Sequence, residues 1–536
     1  MKNRLWLISL AGGLLGSLAW NDKATGLIIL VALVPFLHIF ESTIKEGASS
    51  SLVFLRTLPG FITFNLLTIF WLRNASIAGA IYAVLANSFL MSSVFWLASV
   101  IYKKSSSFLG YVSLMTFWII MEHLNSRLII LTPWLNLGNT LGNDVAFIQW
   151  YDITGVAGGT LWILLFNLAL YFAFSALREE RDYLPGRLVI LLLLFLIPTG
   201  YSLLKYYRTY MPAGSSDILI IQPNIDPYTE KFSSYSFEMQ LDRMLDMAGE
   251  NISGGTEWVI FPETAIDDPF YEEDVYENKY YLMIDSLLSK YEGVSLITGA
   301  TTMKSLQLND IQQAGPAGRD ENRGKQFEVY NTAMKISPGE DVAFYHKSKL
   351  VPGIEKKIRS LPAVIQEKII PDLGGTMTGY GTQDERTVFY DPDSLVRIAP
   401  VICYESVYGD FITAYIRNGS NLIVIITNDG WWKNTRGYRQ HLMFARIRAI
   451  ENRRSVARAA NTGISCFIDH KGRIIKRSGW WEESVLQHSP GLYDRMSFYS
   501  RNGDFISRYL SVFGAFILII TFIGAPLRRL REPQNF

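Results

Sequence analysis

Up to about residue 204 the chain consists of long apolar runs separated by short polar loops, and one more apolar run lies near the C-terminus. Between them hydrophobic and polar positions mix in the ordinary way, and most acidic residues fall there. A helix needs roughly 20 apolar residues to cross about 30 Å of hydrocarbon. Seven N-terminal stretches approach or exceed that length, near 4–20, 26–41, 57–72, 77–101, 108–124, 159–177 and 188–204, and an eighth runs near 508–527. The first follows Lys2 and Arg4 as a signal peptide does, but a second apolar span begins at once and no small-x-small cleavage site stands out, so it reads as a retained helix. The pattern predicts a seven-helix transmembrane domain over 1–204, a large domain outside the bilayer over 205–507, and a C-terminal transmembrane helix with a cytoplasmic tail over 508–536.

Orientation follows from Lys and Arg in short loops, which collect on the cytoplasmic side. With a cytoplasmic N-terminus the inner segments hold Lys2, Arg4, Lys45, Arg56, Lys103, Lys104, Arg178, Arg181, Arg187, Arg528, Arg529 and Arg531, against Lys23, Arg73 and Arg127 outside. Residues 205–507 are then expected outside the cytoplasm. The loop 125–158 carries Pro133, Trp134, Trp150 and Tyr151 on the outer face, with two readings open: an aromatic belt at the interface, or part of an entrance for lipid.

Composition agrees with this division. Hydrophobic residues make up 49% of the chain and charged residues 18%, below the quarter or so usual for soluble proteins. A net charge of +1 with no basic stripe gives no basis for a nucleic-acid partner. Two cysteines, Cys403 and Cys466, cannot build a disulfide framework. A free thiol in an oxidising compartment needs a chemical reason.

Apolar β-rich runs at Ile218–Gln222, Trp258–Pro262, Ser295–Gly299, Ile398–Cys403 and Leu422–Thr427 alternate with amphipathic stretches such as Ser236–Ala248, Tyr281–Tyr291 and His441–Arg453. Continuous apolar strands broken by helices predict sheets covered by helices, an α/β architecture. Asn224, Glu263, Cys403–Glu405 and Asn428–Asp429 close four of those strands, and sites in such folds lie beyond the carboxyl ends of strands. A strand-end thiol becomes a nucleophile if a base takes its proton and a donor receives the oxyanion. His38 and His123 fall in or beside spans, while His346, His441, His470 and His488 show no Cys-His pattern, so a papain-like arrangement is not expected. A carboxylate and a lysine remain, supplied by Glu263 and the segment H-K-S-K-L-V-P.

Three segments, F-P-E-T-A at 261–265, Y-H-K-S-K-L-V-P at 345–352 and V-I-C-Y-E at 401–405, resemble the Glu-Lys-Cys triad of the nitrilase superfamily in order and strand context. With Q-P-N-I at 222–225, Y-N-T-A at 330–333, T-N-D-G-W-W at 427–432, the Q-H-L to R-A-A-N-T-G stretch of 440–463 and the flanking spans, the whole chain resembles the apolipoprotein N-acyltransferase family of the bacterial envelope. The resemblance implies an α-β-β-α sandwich, with Glu263 as general base, Lys347 as the cation at the oxyanion and Cys403 as nucleophile. It matches Glu355 to a second glutamate after the lysine loop, Tyr404 and Glu405 to a Tyr-Glu pair, and Asn331 to a brace of the triad. Lys349 stands where the family carries His, and Gly353-Ile354-Glu355 replaces Phe-Gly-Glu; spacing to Leu350 and Pro352 favours Lys347 over Lys349. A lid tryptophan has no clear equivalent, Phe232 being the nearest aromatic.

The implied reaction moves an acyl chain from a phospholipid, through a Cys403 thioester, to the N-terminal amine of a diacylglyceryl-cysteine lipoprotein, with protonated Lys347 favouring the thiolate. It implies no metal or other cofactor and a monomer in the bacterial inner membrane, its catalytic domain periplasmic. Alternatives remain for single residues. Cys466 fits a core strand, Glu355 a surface ion pair with Lys356 and Lys357, Arg446–Arg458 a salt-bridged helix rather than a phosphate binder, and Trp431 and Trp432 either packing or a lipid-facing rim. The rival activities are a membrane-tethered amidase that hands the acyl group to water, and a transporter or receptor, which predicts more ionisable residues within spans.

Overall fold

The computed structural model describes residues 2–128, 132–179, 181–231, 237–306, 318–320, 323–352, 354–356, 379–390 and 395–524. Phe232, Ser236, Gly353, Lys357, Arg528, Arg529 and Arg531 lie outside them. The chain divides into two compact units: Met1–Arg73, Gly79–Tyr207 and Asn502–Phe536 form one, Asn74–Ala78 and Arg208–Arg501 the other.

Among the described residues of the first unit, seven helices are long and apolar enough to cross a membrane: Gly26–Lys45, Ser50–Asn74, Ile77–Lys104, Ser107–Arg127, Tyr151–Leu177, Arg181–Tyr207 and Phe505–Ile523. The first apolar stretch forms the shorter helix Arg4–Ala19. The chain is a multi-pass membrane protein. Two spans start earlier than the hydrophobic pattern suggests. Ser50–Asn74 takes in Arg56, which hydropathy excludes, because its buried guanidinium donates to Thr43 Oγ1 at 2.8 Å and Glu46 Oε2 at 2.9 Å. Tyr151–Leu177 continues back through Gly155, whose φ of 61° no residue with a Cβ adopts readily.

The described part of the segment between Arg127 and Tyr151 departs from the aromatic-belt expectation. Trp134, Trp150 and Tyr151 are buried against protein and do not form an interfacial belt. Short 3-10 turns at Pro133–Leu135, Leu137–Asn143 and Val145–Phe147 fold inward. Glu122 holds them: its carboxylate accepts from Leu137 N at 2.7 Å, Thr160 Oγ1 at 2.7 Å and Trp118 Nε1 at 3.0 Å. A buried carboxylate satisfied by three donors costs far less than an isolated one.

The second unit contains two mixed sheets. One has the order Ile474–Arg477, Cys466–Ile468, Ser455–Ala460, Leu422–Thr427, Arg397–Ile402, Phe389–Tyr390 among the described residues, with its three central strands parallel. The other runs Ser484–His488, Ile218–Gln222, Trp258–Ile260, Ser295–Ser305, Lys325–Ile336, Gly318–Asp320, with Ile266–Tyr271 beside the fourth and Ala343–His346 beside the fifth. The sheets meet across Ser455–Ala460 and Ile218–Gln222. Helix Phe237–Asn251 covers one outer face, with Lys279–Leu288 packed on it; Gly409–Arg417 and Arg436–Asn452 cover the other. This is the α-β-β-α sandwich. The strand expected at Ser295–Gly299 extends to Ser305 and pairs antiparallel with Lys325–Ile336, register Thr301↔Asn331. Its polar second half, T-T-M-K-S, hides this from a hydropathy reading. Because the inner strands of both sheets are parallel, the ends at Ile260, Ile402, Thr427 and Ala460 each point to a carboxyl edge where side chains can converge.

Candidate active site

Glu263 follows the strand Trp258–Ile260, Lys347 follows Ala343–His346, and Cys403 follows Arg397–Ile402. The three come together. Lys347 Nζ donates to Glu263 Oε1 at 2.9 Å and Glu355 Oε1 at 2.8 Å, and is 1% exposed. Asn331 Nδ2 donates to the same two oxygens at 2.9 and 3.1 Å. Glu263 Oε2 accepts from Asn428 N at 3.1 Å, and this carboxylate and the Cys403 thiol lie in each other's electrostatic field. Glu355 is thus a partly buried partner of the lysine rather than a surface ion pair, its second oxygen held by Val351 N at 2.8 Å. Cys403 takes a φ of +49°, a left-handed conformation costing a residue with a Cβ about 1–2 kcal/mol. Such strain persists where surrounding structure enforces it.

Burial and the Glu263 carboxylate raise the Cys403 thiol well above its ordinary pKa; Lys347 pulls the other way and is outweighed. Burial works against an ionised Glu263, but Lys347, Asn331 and Cys403 together hold it below the usual carboxylate range. Burial likewise opposes the ammonium of Lys347, and Glu263 and Glu355 overcome it, raising that group well above its ordinary value. The resting array is carboxylate, ammonium and thiol. A nearby ammonium does not produce a standing thiolate; the arrangement suits removal of the proton as the sulfur attacks.

Glu405 ties the thiol's turn to the lysine loop: Oε1 accepts from Tyr345 Oη at 2.7 Å and Ser348 N at 2.6 Å, Oε2 from Ile402 N at 2.9 Å. Tyr404 is buried edge-to-face with Tyr408, centroids 5.3 Å apart. Trp431 is half-buried; Tyr228 packs against it at 5.6 Å and donates its hydroxyl to the Trp431 carbonyl at 2.6 Å. Lys349 Nζ lies 5.1 Å from the centre of the Tyr408 ring.

Several nearby residues escape sequence reasoning. His441, set aside for want of a Cys-His pattern, lies against the Cys403 backbone: its Nε2 is 3.1 Å from the Cys403 carbonyl oxygen. Lys231 is buried and hydrogen-bonds Thr264, next to Glu263, with Asp267 Oδ2 at 3.7 Å. Tyr380 is buried in the fields of Asp267, Glu355 and Lys347. No spacing signals these contacts, since each bridges segments brought together only by the two sheets. The stretch Arg446–Arg458 is a correction. The helix ends at Asn452, Arg453 takes a φ of +52°, and Arg458 lies on a strand with Nη2 2.6 Å from Asp429 Oδ2. Arg454 is buried and donates to backbone carbonyls of Ser420, Asn452, Arg453, Asp494 and Arg495. Cys466 is fully buried on a strand, its thiol pushed up to about 12 by burial.

A two-sheet sandwich carrying Glu, Lys and Cys at strand ends is the architecture of the carbon-nitrogen hydrolases, and that family matches residues 220–489. The N-terminal domain of apolipoprotein N-acyltransferases matches residues 12–169. The apolipoprotein N-acyltransferase of Chlorobaculum tepidum is 30% identical over 498 residues, covering 91% of each chain. That of Geobacter metallireducens is 30% identical over 406 residues, covering 73% of this chain and 70% of its own. An amidase of the nitrilase superfamily from Nesterenkonia aligns in structure with a TM-score of 0.36 and 15% identity, covering 56% of this chain and 99% of its own. The chain belongs to the apolipoprotein N-acyltransferase family, and is an enzyme of acyl transfer.

Proposed function

We propose that Glu263, Lys347 and Cys403 carry the acyl transfer, with a phospholipid as donor and the α-amine of a diacylglyceryl-cysteine lipoprotein as acceptor. Glu263 takes the thiol proton while sulfur adds to the ester carbonyl. Lys347 receives the developing oxyanion. The C–O bond to glycerol breaks, Glu263 returns the proton to the leaving alkoxide, and a lysophospholipid departs from the thioester. The amine then adds, the C–S bond breaks, and the amine's proton passes through Glu263 back to sulfur. Asn331 and Glu355 hold the lysine and base, Glu405 holds the turn, and to Tyr404 and Trp431 we assign contact with the acyl chain. The observation that carries this reading is the Glu263–Lys347–Glu355 array beside a thiol held in a left-handed turn.

The enzyme acts as a monomer in the bacterial inner membrane with residues 205–507 on the periplasmic side, a placement supported by the Lys and Arg distribution across the spans. Both substrates are lipids, which gives a hydrolase-like domain its reason for membrane helices. The test is intact mass. After incubation with phospholipid, the purified chain should gain one acyl group on Cys403, lose it to a diacylglyceryl lipopeptide, and gain none as Cys403→Ser. N-acylation of the lipopeptide by Cys403→Ser at the wild-type rate would overturn the mechanism. Release of free fatty acid in place of acyl-lipopeptide would instead favour an amidase-like hydrolase.

A further inference from the structure

The peptide joining Cys403 to Tyr404 is gripped from one side. Its carbonyl oxygen accepts from Ser406 Oγ at 2.7 Å and lies 3.1 Å from His441 Nε2. Nε2 also lies 3.0 Å from Ser406 Oγ, so imidazole, hydroxyl and carbonyl form one cluster; a carbonyl can only accept, so in its contact with Cys403 Nε2 is the donor. His441 Nδ1 is 2.9 Å from Asp429 Oδ1, and Asp429 Oδ2 takes Arg458 Nη2 at 2.6 Å. Thr427 Oγ1 adds a further donor to Asp429 at 2.9 Å, and Arg458 Nη2 lies 3.1 Å from His441 Nδ1. His441, Asp429 and Arg458 are essentially inaccessible to solvent. Trp432 closes over the imidazole edge-to-face, centroids 5.3 Å apart. Burial works against an ionised Asp429, and Arg458 and His441 nonetheless hold it well below the usual carboxylate range.

A buried charged chain of this kind is expensive to desolvate, and removing one member strands the rest. Here it ends on the backbone of the nucleophile, not on its sulfur. The described residues contain no cis peptide. In a planar trans peptide the carbonyl and the N–H leave on opposite edges, so fixing one fixes the other. Pinning the Cys403 carbonyl toward His441 therefore turns the Tyr404 N–H away from His441.

We infer that His441, braced by Asp429 and Arg458, is a positioning residue: it locks the Cys403–Tyr404 peptide, and so the direction of the Tyr404 N–H, in the geometry that oxyanion formation at Cys403 requires. The inference rests on the Cys403 thioester mechanism above. It also accounts for how the chain sustains the left-handed turn at Cys403, since two donors converge on the carbonyl that this conformation turns inward.

The test separates acyl transfer, which develops an oxyanion, from alkylation, which does not. The full-length chain is purified as wild type, His441→Ala, His441→Gln and Ser406→Ala. Acylation of Cys403 is followed by mass against phospholipid concentration, and alkylation of the same residue by iodoacetamide. His441→Ala should lower the maximal acylation rate about 100-fold, leave half-saturation within about twofold, and leave alkylation within about threefold. His441→Gln should recover about tenfold of that loss, because its carboxamide N–H can reach the Cys403 carbonyl. Ser406→Ala should show the same split to a smaller degree, and carries the test if His441→Ala does not fold. Acylation at the wild-type rate in His441→Ala, equal loss of acylation and alkylation, or a glutamine variant no better than alanine would each overturn the inference. A wild-type chain that never acylates Cys403 would instead bring down the mechanism beneath it.

Discussion

Two lysines stand two residues apart in one loop, and Lys347 is bonded to Glu263. Lys349 Nζ lies over the Tyr408 and Phe411 rings at 5.1 and 5.8 Å, a contact worth about 0.5–1 kcal/mol where solvent reaches it. Lys347→Met should lower Cys403 acylation about 1000-fold by intact-mass kinetics, whereas Lys349→Met should stay within about threefold. Equal losses would reassign the cation. A second residue-scale expectation concerns stability. Burial presses the His470 imidazole from 6.5 down to about 4, between the rings of Tyr210 and Tyr493. The unfolded chain takes up that proton near 6.5 and the folded chain near 4. The contribution is therefore complete above the ordinary imidazole value and is lost as pH falls through about 4, on the order of 2–3 kcal/mol. Unfolding in detergent at pH 7.5 and at pH 4.5 should show a smaller difference in His470→Phe than in wild type. An unchanged difference would assign the acid sensitivity to other groups.

At the scale of elements, the strand Ser295–Ser305 sets the height of Glu263, the proposed general base. A Cβ at Gly299 would meet Thr264 N at 2.4 Å and Glu263 Cα at 2.6 Å, both backbone atoms unable to swing aside. Gly299→Ala should displace Glu263 enough to slow acylation about 10- to 100-fold while half-saturation by phospholipid changes little. Wild-type kinetics in that variant would mean the backbone there yields freely. The membrane unit uses the same device: a Cβ at Gly60 would meet Ser9 O at 2.3 Å, and one at Gly13 would meet Gly60 O at 2.2 Å, so the helices of residues 2–19 and 50–69 cross in backbone contact. Pro59 lies inside the second of these helices, and Ser9 Oγ accepts the N–H of the following Gly60 at 2.9 Å.

For the whole molecule, the charge distribution predicts which segments face the periplasm. In a background with Cys403→Ser and Cys466→Ser, Lys290→Cys, on an exposed site of the catalytic unit, should react with an impermeant maleimide in intact spheroplasts. Lys104→Cys, at the end of the span Ile77–Lys104, should react only after lysis. The reverse labelling would invert the proposed topology.

The amino-acid sequence by itself determined the elements whose causes are local: apolar runs long enough for a bilayer, apolar strands ending in polar residues, and the ordered Glu, Lys and Cys segments. Each is legible because hydrophobic burial and strand-end placement leave a pattern within a few residues. Tertiary structure alone decided what depends on residues distant in sequence. Glu355 turned from a surface candidate into a partner of the lysine because Val351 N and Asn331 fold it inward. Trp134 and Trp150 became core because Glu122 draws the loop into the helices. His441 reached Cys403 across 38 residues because the helix Arg436–Asn452 packs behind the turn Cys403–Val407. Such contacts carry no periodicity, since they are fixed by how two sheets and their helices stack, and only that packing decides which buried charge meets which.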